Sequence, residues 1–148
     1  MTSLIKTKFI PILLLVLSSF SLVNAEELKP LDKVIYESSN SYPFKRCSGL
    51  YAAIMKWGGK EKYGEETYNR YTQGAEKLLF SSISIDVKEG VGKTDEVTKN
   101  NLNTVIMITE KYIERFKNNY ASTGQPFGED EMFKKDLNIC TKLSNLLN

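Results

Sequence analysis

The sequence predicts an all-α protein, a small antiparallel bundle of about four helices closed by one disulfide. Three observations carry that expectation. Apolar residues recur at steps of three and four along four separate segments. Those segments are divided by glycine-rich breaks, and only two cysteines, Cys47 and Cys140, occur in 148 residues, one on the first apolar stripe and one on the last.

The N-terminus stands apart from this pattern. Lys6 and Lys8 precede the apolar run F-I-P-I-L-L-L-V-L, Phe9 to Leu17, and Val23 and Ala25 are small residues suited to signal-peptidase cleavage. Residues 1–25 therefore read as a secretory signal peptide cut after Ala25. As a membrane anchor the run falls short of the roughly 20 apolar residues that span a bilayer, and Pro11 interrupts it. No cysteine follows the cut to carry a lipid. The expected location is the periplasm or the outside of the cell, with no stable membrane anchor after cleavage.

Export changes the charge reading. The chain has 20 basic and 18 acidic residues, and Lys6 and Lys8 leave with the signal peptide, so the remainder is neutral. No basic footprint for nucleic acid or an anionic membrane remains. In an oxidising compartment the two cysteines are expected to pair. A reactive thiol is the competing reading, but the chain has no histidine to activate one.

Residues 26–40 show no sustained period and read as a leader with a helical turn around Leu31 to Tyr36; residues 41–148 form a single helical domain. The first helix is expected over about 42–57, with Ser41 as N-cap, Pro43 in the first turn and Gly58-Gly59 as the stop. Phe44, Cys47, Leu50, Tyr51 and Ile54 make its inner face. The second is expected over about 65–86 on the stripe Tyr68, Tyr71, Ala75, Leu78, Leu79, Ser82 and Ile85, although F-S-S-I-S-I-D-V at its end also alternates like a strand. The third is expected over about 95–119 with Thr94 as cap, on Val97, Val105, Ile108, Tyr112 and Phe116, widened by Leu102, Ile106 and Ile113. The fourth is expected over about 129–147, with Met132 or Phe133, Leu137, Cys140, Leu143 and Leu147 inward. A Cys47–Cys140 bond would then fasten the first of these helices to the last.

Few motifs carry chemistry. G-V-G-K-T, Gly90 to Thr94, resembles the end of a phosphate-binding loop, but Val87 stands where the first glycine belongs, and a linker followed by a helix cap explains each residue. The lack of histidine removes Ser-His-Asp and Cys-His catalysis and histidine-held metals. No metal and no cofactor is expected. Glu110 with Glu114, and Glu65 with Glu66, are the carboxylate pairs that glycoside hydrolysis would need. Lys111, Arg115 and Arg70 beside them suggest solvated ion-paired faces instead. Glu129, Asp130 and Glu131 suit the first turn of a helix. Asp136, one turn before Cys140, marks a polar edge where it can pair with Lys45 or Arg46.

Aromatics are abundant, with eight Tyr, seven Phe and one Trp. Tyr51, Trp57, Tyr63, Tyr68 and Tyr71 gather around the break between the first two helices and form the candidate recognition surface. The function expected from these features is non-enzymatic binding of an unidentified protein or peptide. A small-molecule carrier and a carboxylate-dependent hydrolase of envelope glycans are the alternatives.

Overall fold

A computed structural model describes residues 27–147. The signal-peptide reading of residues 1–25 lies outside them. Five helices follow one another: α1 Leu31–Val34, α2 Tyr42–Tyr63, α3 Glu65–Lys88, α4 Thr94–Thr123 and α5 Glu131–Asn145. The four long ones form the antiparallel bundle, and α1 is a single turn inside the stretch Leu31 to Tyr36 where the leader was expected to make one. α2 is the central element and packs against α3, α4 and α5, while α1 sits on α5. No described helix is long and apolar enough to cross a membrane.

Cys47 and Cys140 are bonded and have no solvent exposure. They join α2 to α5, the second and last helices, across a sequence separation of 93. Leu50, Ile54, Leu78, Ile108, Tyr112 and Phe116 close the core around them. Two small residues on α2 bring its neighbours close. A Cβ on Gly49 would lie 2.5 Å from Ile108 of α4, and the Ser48 hydroxyl donates to the Ala75 carbonyl of α3 at 2.8 Å.

Several helix boundaries differ from the sequence reading, each for a local reason. The Gly58-Gly59 pair bends the first long helix rather than ending it. Gly59 takes φ 61°, a further turn follows to Tyr63, and the Tyr63 ring folds back against Gly58. Gly64, at φ 76°, is the separator. Ser41 makes no side-chain cap; it is buried and bonds Ser39 instead. Thr94 is the first residue of α4 rather than its cap. α5 begins at Glu131, after a true cap in which Asp130 accepts from the Phe133 amide at 3.0 Å. The strand-like end of α3 is helical to Lys88, because Leu78, Ser82 and Asp86 turn inward at steps of four. Leu102 and Ile106 do not widen the α4 core: they are 45% and 50% exposed, whereas Ile113 is buried.

Candidate functional site

The expected polar edge is a polar core. The Arg46 Nη2 donates to Asp136 Oδ2 at 2.6 Å, with both side chains inaccessible. Tyr112 completes the group: its hydroxyl accepts from Arg46 Nε at 2.6 Å and donates to Asp136 Oδ2. The second Asp136 oxygen accepts the Leu31 amide at 2.7 Å, and Arg46 also donates to the Lys29 carbonyl at 3.0 Å. Burial opposes the Arg46 charge, but Tyr112 and Asp136 outweigh it and raise its pKa. Burial, foremost, holds the Tyr112 pKa well above that of a free phenol, so the hydroxyl stays a donor. Every carboxylate oxygen is engaged and none meets solvent. This cluster ties the leader at Lys29 and Leu31 to α2, α4 and α5, beside the disulfide, and no substrate can reach it.

Lys45 goes elsewhere. It pairs with Asp86 of α3 at 2.8 Å, which also accepts from Asn101 of α4 at 2.8 Å. Burial works against the Asp86 charge, yet Lys45, Ser41 and Asn101 hold its pKa below the ordinary value.

Asp130, Glu110 and Glu65 are also paired. Asp130 receives Arg115 through Nε at 2.5 Å and Nη2 at 2.8 Å, together with Asn119 at 2.7 Å. Burial opposes its charge, but these donors and the Phe133 amide keep its pKa low. Glu110 reaches across to Lys56 of α2 at 2.5 Å, and Glu65 lies 3.5 Å from Lys60 on the other side of the Gly64 separator. A glycosidic general acid needs a carboxyl with a raised pKa facing a cleft. Asp86, Asp130 and Glu131 are all lowered. Among the described residues no group of three or more potential metal ligands is assembled.

The five aromatics separate rather than form one surface. Trp57 packs edge-on against Phe116 and Tyr120 of α4, each at 6.0 Å. Tyr63 lies over Gly58, and Tyr68 faces the Lys60 ammonium at 5.5 Å. Tyr51 and Tyr71 meet edge to face at 5.0 Å, and these two lead into a groove of about 380 Å³ between α3 and α5.

That groove is the candidate binding site. Its α3 wall is the stripe Arg70, Gln73, Gly74 and Lys77, with Tyr71 beside it; its α5 wall is Thr141, Ser144 and Asn145. Tyr51 from α2 is the floor. It approaches because residue 74 has no side chain: a Cβ there would sit 2.9 Å from the Tyr51 ring. Burial raises the Tyr51 pKa above the usual value despite its bonds to Thr141 and Ser144, so the phenol is neutral. The Arg70 guanidinium stands over the Tyr71 ring at 5.8 Å. Among the described residues, two cationic side chains, Arg70 and Lys77, line the groove.

Sequence reasoning named Tyr51 and Tyr71 but not the polar walls. Arg70, Gln73, Gly74 and Lys77 do fall on one helical face at i, i+3, i+4 and i+7. A solvated face has the same spacing, and the facing wall lies some seventy residues away in α5. Tyr112 was placed in the core without its role; a buried tyrosine hydroxyl needs a partner, and Arg46 and Asp136 are the partners.

No protein-family model matches this chain, and neither a curated protein nor a solved structure does.

Proposed function

We propose that this chain is an exported, non-enzymatic helical module that binds another protein or peptide in the periplasm or outside the cell, through the groove between α3 and α5. The observation that carries the reading is the groove itself. Tyr51 and Tyr71 give it a rigid aromatic base, and hydroxyl, amide and cationic groups stand along both walls, a composition that suits polar recognition. The signal-like pattern of residues 1–25 supports export. The disulfide is compatible with an oxidising compartment.

The alternatives draw less support. A carrier would hold its ligand in an enclosed, mainly apolar pocket, whereas this groove is open and polar-walled. A glycan hydrolase needs a free carboxyl pair, and the buried acids are occupied by Arg46, Lys45 and Arg115.

The test is site-specific photocrosslinking in cells that make the full chain. A photoreactive residue at Gln73, in the groove, should give a discrete adduct, and one at Asn103, on the exposed side of α4, should not. No adduct from position 73, or the same adducts from both positions, would reject the groove as the binding site.

A further inference from the structure

The last turn of α2, Lys60 to Tyr63, is set off from the bundle by a glycine at each end. Gly59 has φ 61° and ψ −174°, and Gly64 has φ 76° and ψ 160°. Both conformations are nearly closed to residues that carry a side chain. A Cβ at either position would meet nothing within 4 Å. Two permissive joints in open space therefore bracket one turn.

Little holds that turn down. Lys60, Glu61, Lys62 and Gly64 are exposed. The Lys60 ammonium lies 3.5 Å from Glu65 and 5.5 Å from the centre of the Tyr68 ring, exposed contacts that contribute little. A lone helical turn has no stability of its own in water. The one inward side chain is Tyr63, which packs against the core and lies over Gly58. Gly58 admits it, since a Cβ there would sit 2.2 Å from the ring. The Tyr63 hydroxyl is buried and finds no hydrogen-bond partner among the described residues, which works against the packed position.

We propose that Lys60–Tyr63 is a flap, hinged at Gly59 and Gly64 and latched by the Tyr63 ring over Gly58, that opens without unfolding the bundle. Closed, it buries the ring while the hydroxyl goes unpaired. Open, the hydroxyl is solvated and the Gly58 side of α2 is uncovered. Tyr51, Met55 and Gly58 share one face of α2 at i, i+4 and i+7. The flap therefore closes over the continuation of the face on which Tyr51 meets Tyr71. It stands apart from the binding role proposed above.

The experiment is amide hydrogen exchange, read by NMR on the folded, disulfide-bonded chain. The reporter is the Gly64 amide, which donates to the Lys60 carbonyl at 2.9 Å. Corrected for intrinsic rates, it should exchange at least about a hundredfold faster than the amides of Ala53 to Trp57. Tyr63→Phe removes the unpaired hydroxyl and should slow it at least about fivefold. Gly58→Ala puts a methyl where the ring lies, and Gly59→Ala strains the hinge. Each should speed exchange at Gly64 at least about fivefold and leave Ala53 to Trp57 protected.

Protection at Gly64 equal to that of Ala53 to Trp57 in the native chain would overturn the flap. Loss of protection across the bundle in Gly58→Ala would make Tyr63 a core residue and overturn the latch. No slowing in Tyr63→Phe would overturn the unpaired hydroxyl as the reason the latch is loose. Exchange at Gly64 no faster in Gly59→Ala would overturn Gly59 as a hinge.

Discussion

Asp136→Asn removes one charge from the most buried ion pair in the molecule and leaves the shape nearly unchanged. In the native protein, Asp136 neutralises Arg46, accepts from Tyr112 and holds the Leu31 amide. The variant leaves the guanidinium without a counter-charge at a side chain only 1% exposed. Breaking a buried pair from one side costs about 3–5 kcal/mol, mostly the penalty of the stranded charge. A small domain is stable by about 5–15 kcal/mol, so a large part of the margin disappears. With urea slopes of about 1–3 kcal/mol/M, the unfolding midpoint should fall by about 2 M.

The Lys56–Glu110 pair is the internal control. Both side chains are 56% exposed, and Glu110→Gln should cost no more than about 1 kcal/mol. Removing both buried charges together, Arg46→Met with Asp136→Leu, should cost less than the two single changes combined. Hydrogen exchange should show the Leu31 amide losing protection in Asp136→Asn. Equal destabilisation by Asp136→Asn and Glu110→Gln, or an additive double variant, would rule out a stranded buried charge as the cause.

Three further outcomes follow from the same packing. Replacing Cys47 and Cys140 by alanine opens the crosslink over 93 residues and should lower stability by about 4–5 kcal/mol, read as a denaturant midpoint against the oxidised chain. Asp130 has its folded-state pKa held below the unfolded value, so its contribution is present above about pH 4 and lost as pH falls through the lower folded value; urea midpoints of Asp130→Asn should accordingly lose part of the fall seen in wild type below pH 4. Gly49→Ala drives a methyl into Ile108 at the tightest crossing of α2 and α4 and should cost about 1–3 kcal/mol, whereas an unchanged midpoint would mean that the helices part easily.

The helical plan and the disulfide were legible because both depend on local periodicity and on a cysteine count that allows one pairing. The boundaries were less so. Gly58-Gly59 has the composition of a stop, but Tyr63 folding onto Gly58 carries a further turn beyond the bend. Asp130 was read as one of three first-turn acids, and its capping role depends on Arg115 and Asn119 from another helix.

The candidate site shows the same division. Arg46 and Asp136 were brought together by their neighbouring cysteines, since a disulfide between helices brings adjacent turns with it. Tyr112 comes from α4, and no short spacing relates it to either. The groove needs α3, α5 and the floor from α2 at once. Its least conspicuous residue, Gly74, sets its depth by admitting the Tyr51 ring. Leu102 and Ile106 misled for the opposite reason: helical spacing marks a stripe but not where the neighbouring helix ends.

The most direct test of the central claim is the yield of the Gln73 photocrosslink in cells carrying the intact groove or the Arg70→Glu/Lys77→Glu double reversal. A groove that is the partner's binding site predicts a discrete adduct from the intact protein and its loss in the reversal. An adduct of unchanged size and yield in both would contradict the account.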